Sequence, residues 1–364
     1  MKPKVLFTDG EGPIVFKDLA ADLAQKAVPG LFPILSFYDD YLAEVGTEGY
    51  QAGDTLALIV PHLLLHGVTD EDVEKEARDA KVCLGVEEYI QGLQKDGWEI
   101  RIISTAYSQL WKLVGEQYLG ISMQHIASTD LDLGRLRGRF ESNRFYSAVS
   151  ESEREILGLA PLAQEAMQSV DTGENIVSVF GSEKYAPLKN ALDGFYWKRL
   201  KENGYKTLQE VQVMGGKRKI QAAQRFANEL GIKLSDVPYV GDSITDDALN
   251  AQLLIEGGLP IAINGNYYAL RNARVAVATE DMRDLRPVVD AWQIGGHEGV
   301  CRLVESQSIS SMTGGKEGAP IHEVVSSRKY AIVDPTDREE FGRIVAISKE
   351  SRKKVRGAAT ARLG

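Results

Sequence analysis

The sequence predicts an α/β protein: a doubly wound parallel sheet carrying a helical cap and a second insert. Three observations predict it. Short apolar runs recur at residues 4–8, 99–104, 124–127, 237–240, 260–263 and 275–278. Helical periodicity lies between most of them, and strands alternating with helices mark a parallel sheet covered on both faces. Two of the runs end on acidic turns, Asp9-Gly-Glu11-Gly-Pro and Gly241-Asp242-Ser-Ile-Thr-Asp246-Asp247. Such turns belong at the carboxyl edge of the sheet, where open α/β folds place their ligands.

Taken in order, the first strand is followed by an interruption from Asp18 to about Gly85, with breaks at Pro29-Gly30, Gly46 and Gly67. It reads as a helical insert. A second interruption runs from about Arg135 to Gly216, with helical stretches near 159–168 and 190–201 joined by an apolar run at 175–180. It reads as a second insert or an elaborated crossover. After Trp292 the pattern weakens, 312–320 reads as a loop, and a helix near 337–354 precedes a frayed tail. Residues 1–15, 86–134 and 215–295 are therefore expected to form the core, 16–85 the cap, 135–214 the second insert and 296–364 a C-terminal extension.

The 364 residues carry a formal net charge of −10, which argues for solubility and against general nucleic-acid binding. Cys83 and Cys301 stand far apart, in no metal-like spacing, and suit a reducing cytosol. The longest apolar stretch, 56–65, contains Pro61 and His62 and is too short to span a bilayer. A cytoplasmic protein with no membrane contact is expected.

Asp9 at a strand end is placed to attack a phosphoryl group, and Glu11 two residues on to protonate a leaving oxygen and then activate water. The alternative is a strand closing in an Asx-type turn, which Asp-Gly favours. Asp242, Asp246 and Asp247 offer carboxylates for Mg²⁺, or an acidic loop capping a helix. Ser104, with Thr105 beside it, ends another strand where a phosphate or a helix cap is equally at home. Lys217 and Lys219 begin a helix and suit either phosphate neutralisation or a solvated basic turn.

As an ordered set, these elements resemble the haloacid dehalogenase (HAD) superfamily: strand-end Asp-x-acid, strand-end Ser or Thr, a lysine, then Gly-Asp-x-x-x-Asp. The run from Lys219-Ile-Gln-Ala-Ala to Val240-Gly-Asp242 resembles the phosphoserine-phosphatase-like branch without a gap, which favours Lys219 over Lys217. Ile261-Ala-Ile-Asn264-Gly-Asn266 and Ala273-Arg-Val-Ala-Val resemble that branch's closing strands. The extended chain with Asp-Gly-Glu-Gly-Pro also resembles uncharacterised archaeal HAD members associated with energy-converting hydrogenases.

The resemblance implies a HAD-type Rossmann-like core with 16–85 as a C1-type cap. It implies Asp9 as nucleophile and Mg²⁺ ligand, Glu11 as acid/base with its backbone carbonyl on the metal, and Ser104, Thr105 and Lys219 as phosphate binders. Asp242 becomes a direct metal ligand, Asp246 an orienter of metal-bound water or of Lys219, and Asp247 a weaker candidate. The implied activity is Mg²⁺-dependent hydrolysis of a small phosphorylated metabolite through an aspartyl phosphate. The alternatives are a non-catalytic or regulatory HAD-fold subunit of a larger complex, and a phosphotransferase; a homo-oligomer is left open. One departure stands out: most phosphatases of the superfamily have Asp where this chain has Glu11, whose acid reaches one methylene further.

Other features are discounted. His62 and His66 share a helix face but lack a third metal ligand. Gly295-Gly-His297-Glu-Gly299 reads as a helix-ending loop, and Gly314-Gly315-Lys316 lacks the spacing of a nucleotide loop. Phe195, Tyr196 and Trp197 read as packing. The tail residues Lys349, Arg352, Lys353, Lys354, Arg356 and Arg362 read as a solvated helix.

Overall fold

A computed structural model describes residues 1–314 and 329–357. Seven strands form one sheet: β1 (Val5–Thr8), β2 (Glu99–Tyr107), β3 (Ile126–Thr129), β4 (Pro238–Gly241), β5 (Leu259–Ile263), β6 (Val275–Val277) and β7 (Tyr330–Ile332), in the order β3-β2-β1-β4-β5-β6-β7. All neighbours pair parallel except β6 and β7. The chain winds outward from β1 through β2 to β3, then restarts on the other side of β1 at β4. The crevice between β1 and β4 is therefore the topological switch point, the place where such sheets bind ligands.

Both faces of the sheet are dry. Phe7, Ile103 and Tyr239 face the helix Lys217–Glu229 through Ala222, Ala223 and Phe226, and Phe7 meets Phe226 edge-on at 6.0 Å. On the opposite side, Leu6, Ile102, Val240 and Ile261 join the large core shared with the helices Val86–Lys95 and Leu285–Gly314. The latter helix breaks at Gly296, whose φ of 56° and ψ of −145° end one helical run and start the next.

The two insertions are both helical. Residues 19–78 hold the helices Leu19–Ala27, Leu31–Glu44, Thr55–Leu58, Val60–Leu65 and Asp70–Arg78. Residues 133–210 carry helices joined by turns and short links, and the apolar run at 175–180 is itself a helix, Ile176–Phe180, capped by Asn175. The two pack on each other as one layer. Phe180 lies 5.2 Å from Phe37 and stacks on Tyr41 at 4.7 Å, while Trp197 Nε1 donates to Tyr38 Oη at 2.8 Å. His62, fully buried, bridges Glu153 and Tyr196 at 2.9 Å on either ring nitrogen, and His66 shares Glu153. These histidines tie the inserts together through one carboxylate.

Several sequence expectations shift. β2 runs three residues past Ser104 to Tyr107, with a register irregularity after Ile103, so Ser104 lies inside the strand rather than at a helix start. β3 begins two residues later than expected, behind a 3₁₀ turn at Met123–His125. The C-terminal segment is more than an extension, because its β7 pairs antiparallel along β6 and closes the sheet. β7 is short and lies at an edge, where three residues leave little periodicity to read. The expected loop at 312–320 is helical up to Gly314, and its remainder, with Gly315 and Lys316, lies outside the described residues. Among the described residues, no helix is long and apolar enough to cross a membrane.

Candidate active site

β1 ends on Asp9, whose backbone N–H donates to Val240 O at 2.7 Å, locking the two strand ends together. The Asp9 carboxylate accepts from Gly10 N at 2.6 Å and from Lys219 Nζ at 2.8 Å. Gly10 admits no side chain: a Cβ there would lie 1.9 Å from the buried Trp111 ring, and Ser104 Oγ would be 3.0 Å away. Ser104 therefore flanks the Asp9 turn although it lies within its strand. Thr105 Oγ1 is buried and has no hydrogen-bond partner among the described residues.

β4 ends one strand over, and its turn delivers Asp242 and Asp246. Oxygens of Asp9, Asp242 and Asp246 lie within 4.8 Å of one another. Asp246 is saturated. Its Oδ2 accepts from the Asp242 and Ser243 amides at 2.8 and 3.0 Å, and its Oδ1 from Lys219 Nζ at 2.6 Å and Tyr239 Oη at 2.5 Å. It thus orients Lys219 and the turn. Asp247 stands apart, held by Arg271 at 2.6 Å and Asn272 at 2.7 Å. Lys219 is fully buried, whereas Lys217 is exposed and meets Gln51 only through its backbone N–H at 2.8 Å.

Glu11 turns its side chain towards the cap, where Oε1 accepts from Leu19 N at 3.1 Å. Burial, with Asp18 beside it, holds Glu11 well above the usual carboxylate range. Burial likewise pushes Asp9 up to about 8, with Lys219 opposing. Asp246 stays below its ordinary value: burial pushes it up, but Lys219 and the hydrogen bonds outweigh that. Asp9 and Asp246 share the one lysine, and Asp242 does not touch it.

Two residues read from sequence as solvated tail lie in this site. The helix Arg338–Arg356 carries Arg352 and Arg356 onto Asp242. Arg352 donates to Asp242 O at 2.9 Å and to Asp242 Oδ2, and Arg356 Nη2 lies 2.8 Å from that same oxygen. The signal was their spacing of four, which puts both on one helix face. The cap supplies Asp18 and Asp39, which the motif order does not mark. A cavity of about 60 Å³ between cap and sheet is lined by Asp9, Glu11, Asp39, Thr105, Asp242 and Arg356 among others.

A divalent cation fits this donor set. Asp242 Oδ1 is buried with no hydrogen-bond partner among the described residues, an arrangement that costs a carboxylate dearly unless a cation meets it. Hard oxygen donors from two strand ends are the type Mg²⁺ takes.

No protein-family model matches the chain, and no curated protein matches it. Among solved structures it is similar to gene product AF1437 from Archaeoglobus fulgidus, 25% identical with a TM-score of 0.72, over 100% of this chain and 99% of that one. It is also similar to a substrate-bound phosphoserine phosphatase (15% identical, TM-score 0.46) and to a phospho-aspartyl intermediate analogue of phosphoserine phosphatase (16%, 0.47), each over 79% of this chain and 98% of that one. Those two superpositions are too loose to carry residue roles across. None of these similarities shows a link to hydrogenases.

Proposed function

We propose that this chain is a Mg²⁺-dependent phosphomonoester hydrolase of the HAD phosphoserine-phosphatase-like type, working through an aspartyl phosphate. The observation that carries the reading is the contact of Lys219 with both Asp9 and Asp246 at the β1/β4 switch point, where the Asp9 carboxylate faces the cavity.

In this reading Asp9 attacks phosphorus. The P–O bond to the leaving group breaks, and Glu11, kept protonated by its burial, gives the departing oxygen its proton. Glu11, now ionised, takes a proton from water as that water attacks the aspartyl phosphate, which releases inorganic phosphate and restores Asp9. Lys219, Ser104 and Thr105 hold the phosphoryl oxygens, and Asp246 keeps Lys219 aimed. Asp9 and Asp242 would hold Mg²⁺, with the Glu11 carbonyl; the ion supplies charge that keeps Asp9 ionised and neutralises the phosphoryl oxygens. The helical insert 16–85, backed by 135–214, serves as the cap that selects a small phosphorylated metabolite. A cytoplasmic setting suits such a substrate.

A second reading, a non-catalytic HAD-fold subunit, draws on one observation: two arginines already neutralise Asp242. Hydrolysis of p-nitrophenyl phosphate separates the two. Activity that needs Mg²⁺ and is lost in Asp9→Asn supports the hydrolase, and absence of any Asp9-dependent turnover favours the subunit.

A further inference from the structure

We propose that Arg356 is a phosphate-binding residue of this site, brought to it by the C-terminal helix. The proposal rests on the hydrolase reading above and adds to it a contact that comes from outside the ordered motif set.

The helix Arg338–Arg356 is fixed well before its end. Asp337 caps it by accepting from Glu340 N at 3.1 Å, and Phe341, Ile344 and Val345 pack against Ala262, Leu270, Ala276 and Val333. Arg352 fastens the last turns to the β4 loop through Asp242 O. Arg356 follows four residues later on the same face, so the docking that places Arg352 also places Arg356.

Holding Asp242 does not need Arg356. Arg352 already meets both the backbone oxygen and Oδ2 of that residue, and Arg356 adds a second guanidinium to the same Oδ2. The two guanidiniums meet on one carboxylate oxygen, so two positive charges share a single negative partner there. Such a pair accepts a further anion more readily than a single arginine does.

The anion's place is adjacent. Among the described residues lining the cavity, Arg356 is the one cation, facing Asp9, Glu11, Asp18, Asp39 and Asp242. A dianionic phosphate ester entering among five carboxylates needs that charge. The Arg356 side chain is 7% exposed, and its ion pair with Asp242 uses one guanidinium nitrogen of the planar fork. An oxygen of Asp242 lies within 4.8 Å of one on Asp9, so a phosphoryl group in contact with Asp9 is within a short swing of Arg356. The unpartnered Thr105 Oγ1 lines the same cavity and offers a second donor. Arginine suits this task because its fork matches two phosphate oxygens at once.

The test is calorimetric binding of inorganic phosphate, with Mg²⁺ present, to the full-length protein and to Arg356→Gln and Arg356→Lys. One lost charge-assisted contact predicts a Kd about 10- to 100-fold weaker in Arg356→Gln. Arg356→Lys should fall between that and wild type, since it keeps the charge and loses the fork. Mg²⁺ affinity, measured separately, should be unchanged or tighter in both variants. Phosphate affinity within twofold of wild type in both variants would overturn the proposal and leave the hydrolase reading standing. Tighter phosphate binding would also overturn it, marking Arg356 as a plug on the site. A wild-type protein that binds no phosphate would remove the hydrolase reading together with this one.

Discussion

Lys219 Nζ lies 2.8 Å from Asp9 Oδ2, with the lysine side chain fully buried and the aspartate side chain 4% exposed. The same ammonium reaches Asp246 at 2.6 Å. A buried cation between two buried carboxylates is costly to assemble and costlier to break, because removing it strands both anions.

Lys219→Ala should therefore lose most aryl phosphatase activity and about 3–5 kcal/mol of stability, the usual cost of stranding a buried charge. Lys217→Ala, at an exposed position, should stay within about 0.5 kcal/mol of wild type and keep its activity. Urea unfolding and turnover of p-nitrophenyl phosphate read both quantities. A dead Lys217→Ala beside an active Lys219→Ala would reverse the assignment.

Asp39 gives the metal-free protein a pH dependence. Burial lifts its carboxyl from 3.8 to about 7, against hydrogen bonds from Tyr50 Oη at 2.6 Å and Gly53 N at 3.0 Å. The unfolded chain releases this proton near 4 and the folded one near 7, so the folded state binds more protons in between. Stability from this group is whole below pH 4 and is lost as pH rises to 7, with a slope of at most about 1.4 kcal/mol per pH unit. Asp39→Asn should flatten that part of the profile in chemical denaturation run from pH 4 to 8. An unchanged slope would mean that the folded protein holds Asp39 ionised throughout.

Mg²⁺ should stabilise the folded protein without any substrate. At 100 times its Kd a ligand of the native state alone adds about 2.7 kcal/mol, which is a rise of a few degrees in Tm. Asp242→Asn should abolish the rise, since the unpartnered Oδ1 is the oxygen best placed for a cation. A rise of equal size in that variant would put the cation elsewhere.

The sequence reading located the sheet and the order of the residues at its carboxyl edge, because β1 and β4 are apolar runs that end on acids and the alternation between them is regular. It placed Asp9, Asp242 and Asp246 near one another for the same reason, and Lys219 beside them only through the resemblance of its helix and the strand that follows to the phosphoserine-phosphatase-like branch. It missed Arg352 and Arg356: six basic residues crowd the tail from Ser348 onward, and charge alone does not say which face of a helix is buried. Asp18 and Asp39 were hidden because cap residues reach the site through tertiary packing, with no fixed spacing from a strand end. β7 escaped as a three-residue edge strand that pairs back from a distant segment. The length of β2 was misjudged because Thr105, Ala106 and Tyr107 continue the extended chain through an irregular register that no local pattern announces.

The most direct measurement is rapid acid quench of Glu11→Gln with Mg²⁺ and a labelled aryl phosphate, followed by peptide mapping. A good leaving group needs little protonation, so Asp9 should still be phosphorylated. Hydrolysis of the intermediate should slow by about 10²–10⁴, because the amide cannot activate water. The predicted result is label accumulating on the peptide that contains Asp9 and disappearing in Asp9→Asn. Turnover by wild type with no label on that peptide in Glu11→Gln at any time point would contradict Asp9 as the nucleophile.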